Sequence, residues 1–387
     1  MPRRLWPASR RAAAVLCCAL ALSGCAQTGG TLGYYWQSLR GHLALMGAAR
    51  PLPDWLADAD TPEPLRRRLE LARQARAFAS EQLALPDNAS YRRYARLDRP
   101  AAVWNVVAAP PWSLTLHTWC FPITGCIGYR GYFAEGDARA EAARLQRQGL
   151  EVSVYGVPAY STLGYSNWLG GDPLLSTFIA WPEGDFVRLL LHELAHQVAY
   201  APGDTAFNES YATAVERLGV AEWLAARADP RLQAAWQRSE VRRQQWRELT
   251  RATRERLEAI YGTQPDGRQP PDDWPGRAAR KAQALQDFAR DWARLRTYWL
   301  AEGDVQPAQL QALDRWAREA NNASFAAQGA YDDLVPAFIA LFEREGRDWP
   351  RFHAAVQALA RASQAERDAT MQELRGVSFQ FSRAATR

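Results

Sequence analysis

The stretch RLLLHELAHQVAYAPGDTAFNESYATAVE, Arg188 to Glu216, constrains this chain more than any other, because it sets two of the five histidines within five residues and follows them with carboxylates. The run FVRLLLHELAHQVAY after Asp185 has no Gly or Pro and is rich in Leu and Ala. Such residues favour helix, and about four turns are expected. On a helix His192 and His196 stand at i and i+4 and project from one face. At that separation two imidazoles can bind one tetrahedral zinc ion at about 2.0–2.1 Å. Glu193 lies beside the first of them, where its carboxylate can take the proton of an activated water. The alternative is two histidines satisfied in a helical core.

A hydrolytic zinc site needs a third protein ligand and one open position. The turn APGD separates His196 from a second helical stretch, NESYATAVE, in which Glu209 and Glu216 are seven residues apart and share roughly one face. By spacing alone, either carboxylate can be the third ligand.

HELAHQ followed by FNESYATAVE resembles the zinc aminopeptidases of the aminopeptidase N and leukotriene hydrolase type, whose second helix carries Asn-Glu-Gly-Phe-Ala-Thr-x-x-Glu. Asn208, Glu209, Ala212, Thr213 and Glu216 match that pattern, whereas Ser210 and Tyr211 replace Gly and Phe, and the connection between the two helices is shorter here. The resemblance implies a gluzincin site with one Zn2+ per chain on His192, His196 and Glu209. It makes Glu193 the base, with Asn208 and Glu216 supporting the ligands from behind. It also implies a tyrosine hydroxyl for the oxyanion. GAYDDLVPAFIALFEREGRDWPRF is similar to the family segment in which a Tyr opens a helix, so Tyr331 is the candidate. Gly164 and Asn167 of LGYSNWLGG occupy the place of a substrate-binding Gly-x-x-Glu-Asn element. The Glu is missing, so a carboxylate for a substrate amine would come from Asp172, Glu183, Asp204 or Glu216.

The first residues read as a targeting segment: a cationic start MPRRLWPASRR, a short apolar run AAAVLCCALAL, then LSGC. This resembles a bacterial lipoprotein signal cleaved before Cys25, which then carries lipid; an uncleaved membrane anchor is the alternative. Ala26 in place of Asp favours, by the same resemblance, the outer membrane facing the periplasm. Without Arg3, Arg4, Arg10 and Arg11 the formal charge falls from +5 to about +1, so the pI of about 9.0 is no evidence for nucleic-acid binding. Cys120 and Cys126 then remain in an oxidising compartment, where WCFPITGCIGY reads as a disulfide-closed loop rather than a Cys/Cys metal site. The leader, WCFPITGCIGYRGYF and LGYSNWLGGDPLLSTF together resemble a bacterial family of lipoprotein zinc aminopeptidases, over nearly the whole chain.

The expected fold is α+β and mostly helical. Helical stretches alternate with strand candidates such as AAVWNVVAAP and LEVSVYGVPAYSTLGYS, and nearly everything beyond Val220 is helical and charged. The expected organisation is a signal peptide over 1–24, a lipid-anchored spacer over 25–33, an α/β zincin-like (gluzincin) core with a small sheet over 34–219, and a helical region over 220–387 that completes the cleft. The expected activity is trimming of peptide substrates at free N-termini. Two other readings stand beside it, a zinc endopeptidase of envelope proteins and a scaffold lipoprotein with structural zinc.

Overall fold

Every strand of the described chain lies between Arg50 and Leu175, where the sequence is richest in β-branched and aromatic runs, and long helices fill the rest. The computed structural model describes residues 33–121, 125–162, 170–262 and 276–384, with the side chains of 330–332 and 377–384 left out. Cys25, Gly164 and Asn167 therefore lie outside the described residues. Helix α1 covers residues 33–48, and residues 49–387 cluster as one compact unit.

The first elements of that unit are β1 (Arg50–Pro51), α2 (Leu52–Ala57), α3 (Glu63–Glu81) and β2 (Arg93–Ala95). They are followed by β3 (Val103–Ala109), β4 (Trp119–Phe121), β5 (Gly125–Ile127), β6 (Arg130–Tyr132), α4 (Glu135–Arg147), β7 (Glu151–Val157) and β8 (Leu174–Leu175). The main sheet runs β6–β3–β7 and is antiparallel throughout, with Val106 opposite both Arg130 and Val154. All seven residues of β3 are buried, because α4 packs on this strand and the helix bearing Ala323 and Ala327 packs against Val107 and Ala109. A small sheet pairs β1 with β2 antiparallel and β2 with β8 parallel, and β4 with β5 forms a separate hairpin.

Next come α5 (Glu183–Ala195) and α6 (Thr205–Arg227), which pack together. Helix α5 begins two residues before Asp185, behind Pro182, and ends at Ala195 rather than running on to Tyr200. His196 is its C-cap, still in right-handed helical geometry with φ −58° and ψ −22°, so the i, i+4 relation survives. The stop has local causes. The Gln197 side chain leaves the helix to accept from Asn88 Nδ2 at 2.7 Å and to donate to Ser90 Oγ at 3.1 Å, and the Val198 carbonyl accepts from Gln357 at 3.1 Å. Asp204 then caps α6 through the Phe207 amide at 3.0 Å. One turn on, the Asn208 amide grips Ala201 from both sides, accepting from its N–H at 2.7 Å and donating to its carbonyl at 2.8 Å.

The remaining helices are α7 (Pro230–Tyr261), α8 (Arg277–Ala301), α9 (Gln311–Glu319), α10 (Asn322–Asp332), α11 (Val335–Arg344), α12 (Trp349–Arg361) and α13 (Gln364–Ala384). The charged stretch through α7 and α8 is no free arm. Trp246, Phe288, Trp292 and Trp316 meet edge to face with ring centroids 5.1–6.0 Å apart, and Phe325 of α10 joins Phe288 at 5.2 Å. Tyr331 closes α10 in its last turn rather than opening a helix, and the apolar run after it is α11.

Candidate metal centre

Three buried side chains converge where α5 meets α6. His192 Nε2 is 3.3 Å from Glu209 Oε2, His196 Nε2 is 3.2 Å from His192 Nε2, and His196 Nε2 is 3.6 Å from Glu209 Oε2. A tetrahedral ion with bonds of 2.0–2.2 Å requires ligand-to-ligand edges of about 3.3–3.6 Å. The observed triangle has those edges, so these residues could hold a metal ion, and zinc fits them. The donor chemistry agrees. Glu216 is acceptor-only when ionised, so the proton of His192 belongs on Nδ1, which lies 3.1 Å from Glu216 Oε2. In the neutral imidazole the Nε2 lone pair of His192 then faces the Glu209 carboxylate, an arrangement that calls for positive charge among the three, a proton on Nε2 in the protein alone or a metal ion when one is bound.

The electrostatics of the protein alone show how strongly this group wants positive charge. Burial works against protonation of His192, but the bonds to Glu209 and Glu216 push it up to about 10. Burial would raise Glu209, yet the His196 charge and the His192 and His196 bonds hold it at about 2. Glu216 is likewise held at about 2 against burial, chiefly by Arg188, whose Nη1 lies 3.2 Å from its Oε1. Glu216 therefore couples His192 to a cation on the same helix one turn earlier.

Glu193 differs from both acids. It is half-buried and makes no hydrogen bond or ion pair with any described residue. Burial pushes its carboxyl above the usual range, the two histidines pull it down, and Glu209 and Asp172 push it up again.

The surroundings explain the two departures from the family pattern on α6. Ser210 Oγ accepts the Leu334 amide at 3.2 Å, just before α11 starts. The Tyr211 hydroxyl donates to His353 Nδ1 at 2.8 Å, while His353 Nε2 donates to the Leu83 carbonyl at 2.9 Å. Both residues thus tie the carboxylate-bearing helix to its neighbours, as Gly and Phe could not. A second brace comes from the hairpin. Cys120 and Cys126 are cross-strand partners joined by a disulfide, with Cα atoms 3.8 Å apart. At the tip Gly125 has φ +72°, and a Cβ there would lie 2.7 Å from the Gly203 amide nitrogen. The disulfide hairpin is thereby packed on the loop that joins the two ligand-bearing helices.

None of the four acids considered for a substrate amine stands idle. Asp172 accepts from the Thr162 amide at 2.9 Å and the Thr162 hydroxyl at 2.7 Å. Glu183 binds Trp223 Nε1 and Arg227, each at 3.0 Å. Asp204 is the α6 cap and pairs with Arg367 at 2.8 Å. Glu216 is taken by Arg188 and His192. Asp172 and Glu183 thus also anchor the segments on which they lie.

Tyr331 is on α10, and its side chain lies outside the described residues. Sequence reasoning passed over Tyr129, between β5 and β6. Burial first, then Glu209, two tyrosines and Glu193, push its hydroxyl well above the usual phenol range. That hydroxyl makes no hydrogen bond with a described residue. No motif marks it, since its place depends on the hairpin and on packing against Val107, Ala109, Ala323 and Ala327. A cavity of about 650 Å3 opens elsewhere, at the N-terminal end of α5 between Trp181, Trp236 and Arg242. It contains none of the three ligand residues, and the chemistry of the donor set outweighs cavity size in locating the centre.

A family model described as "Putative aminopeptidase" matches residues 33–371. Neither the curated proteins nor the solved structures contain a match to the chain.

Proposed function

The chain belongs to this aminopeptidase family, and from that premise we propose that it is a zinc-dependent peptidase with a zincin-like core, removing N-terminal residues from peptides. The observation that carries the zinc reading is the triangle of His192, His196 and Glu209, with edges of 3.2–3.6 Å and an unengaged carboxylate, Glu193, next to it. Zinc, when bound, supplies a Lewis acid that polarises the scissile carbonyl and acidifies water. Glu193 takes the proton of the attacking water and returns it to the departing amine, since its carboxylate lies beside the triangle without a hydrogen-bond partner of its own among the described residues. Glu216 fixes the His192 tautomer so that Nε2 faces the ligand position. Tyr331 donates to the oxyanion that develops on the carbonyl, and Tyr129 is the second candidate because its hydroxyl is unengaged near both Glu209 and Glu193.

The same reading places the protein on the bacterial outer membrane, held by an acylated Cys25 and facing the periplasm. The Cys120–Cys126 disulfide supports an oxidising compartment. The deciding experiment is a matched peptide pair, free and acetylated at the amine, given to purified protein of measured zinc content. Release of N-terminal residues from the free peptide alone is the expected result. Internal cleavage of both peptides at similar rates would replace this reading with an endopeptidase of envelope proteins. Zinc without hydrolysis of either would leave a structural metal in a scaffold lipoprotein.

A further inference from the structure

Among the described residues six large apolar side chains are exposed, and four of them, Tyr35 at 42%, Trp36 at 67%, Leu39 at 51% and Leu43 at 52%, lie on α1. Tyr35, Leu39 and Leu43 recur at i, i+4 and i+8 with Trp36 beside them, so the four fall within an arc of about 100°. A concentration of this kind on one short helix is not the scatter of single apolar residues that any surface carries.

We infer that this stripe is a second membrane contact, with which α1 lies flat on the bilayer surface next to the lipid anchor. The inference rests on the lipid-anchor reading of Cys25 and is independent of the peptidase reading. Residues 26–32 alone separate Cys25 from α1, and seven residues span at most about 25 Å, so the helix cannot leave the vicinity of a surface that holds Cys25. The side chains suit that place. Trp and Tyr favour the headgroup level, and the two leucines reach the acyl boundary. Residues 33–48 contain Arg40 and no Asp or Glu, so nothing on the helix repels anionic headgroups. Of the two ways a helix meets a bilayer, lying on the surface is the one that suits it. A span needs about 20 apolar residues, and no described helix is long and apolar enough to cross a membrane. A second copy of the chain is the weaker occupant, because four side chains fall far short of the roughly 800 Å2 per partner that a stable dimer buries.

The test uses the full lipidated chain in vesicles of phosphatidylethanolamine with a minor share of phosphatidylglycerol. Nitroxide labels go on single cysteines, Trp36→Cys, Leu39→Cys and Leu43→Cys on the stripe and Ala44→Cys and Ala48→Cys at exposed positions off the stripe. Collision with oxygen, which partitions into lipid, is compared with collision with a water-soluble nickel chelate. The expected result is a several-fold preference for oxygen at 36, 39 and 43 and the reverse at 44 and 48. Aqueous behaviour at all five positions in protein that floats with the vesicles overturns the stripe contact and leaves the anchor standing. Protein that does not float overturns the anchor and the stripe contact together. Stripe labels shielded from both reagents and broadened by one another overturn it in favour of a second copy.

Discussion

Replacing Glu216 with Ala tests the support behind the ligands without touching a ligand. The carboxylate bonds Arg188 Nη1 at 3.2 Å and His192 Nδ1 at 3.1 Å, and it is held at about 2 despite full burial. Set against an ordinary glutamate near 4.5, that displacement amounts to about 3 kcal/mol of folding free energy at neutral pH. Because the folded value is the lower one, this contribution is present above about pH 4.5 and is lost as pH falls toward 2. The pair-breaking argument gives a similar size. Arg188 would be left with Asp185 at 3.9 Å, and removing one partner of a buried pair costs about 3–5 kcal/mol, trimmed toward 3 by the 29% exposure of the Arg188 side chain. His192 also loses the acceptor that orients its ring, which lowers zinc affinity about 10–100-fold while all three ligands stay in place. Metal-stripped wild type and Glu216→Ala are compared by urea unfolding, and zinc binding is measured by competition with a chelator. Arg188→Met combined with Glu216→Leu should regain most of the stability and none of the zinc affinity. A Glu216→Ala protein with the unfolding midpoint and zinc affinity of the wild type would refute the coupling.

Glu193→Gln should retain zinc and lose about 10²–10⁴-fold in turnover, whereas Glu209→Ala should lose the metal; atomic absorption beside a peptide-release assay reads both. Tyr331→Phe should lower kcat more than it raises KM, and undiminished turnover there with a loss in Tyr129→Phe would move the oxyanion role to Tyr129. Tyr211→Phe leaves the buried His353 Nδ1 without its donor and should cost about 1–3 kcal/mol in chemical unfolding. Burial holds His353 down at about 4, against the Leu83 carbonyl, so the native state stays neutral while the unfolded chain takes up a proton below about 6.5. Stability is therefore full above pH 6.5 and falls by up to about 3 kcal/mol toward pH 4, a slope that His353→Gln should flatten.

What the sequence alone determined is the part that local geometry dictates. A Gly- and Pro-free run makes a helix, and on a helix the side chains of His192 and His196 share a face whatever surrounds them. The APGD turn and the Asn-Glu pattern then narrow where the next carboxylates can go. The preference for Glu209 over Glu216 came from resemblance, since both fit the spacing. Only the tertiary structure distinguished them, because the crossing of α5 and α6 brings Glu209 to Nε2 of His192 and Glu216 to Nδ1 and Arg188. The same holds for Ser210 and Tyr211, whose partners Leu334 and His353 lie 124 and 142 residues away, and for Gly125 against Gly203. It holds for the acids at 172, 183 and 204, whose partners Thr162, Arg227 and Arg367 are supplied by the folded chain. Helical periodicity is a short-range property of the backbone and can be read residue by residue. Which distant groups share one low-dielectric interior depends on how whole elements pack, and there the burial of a charge or hydroxyl is tolerated only when packing also supplies its partner.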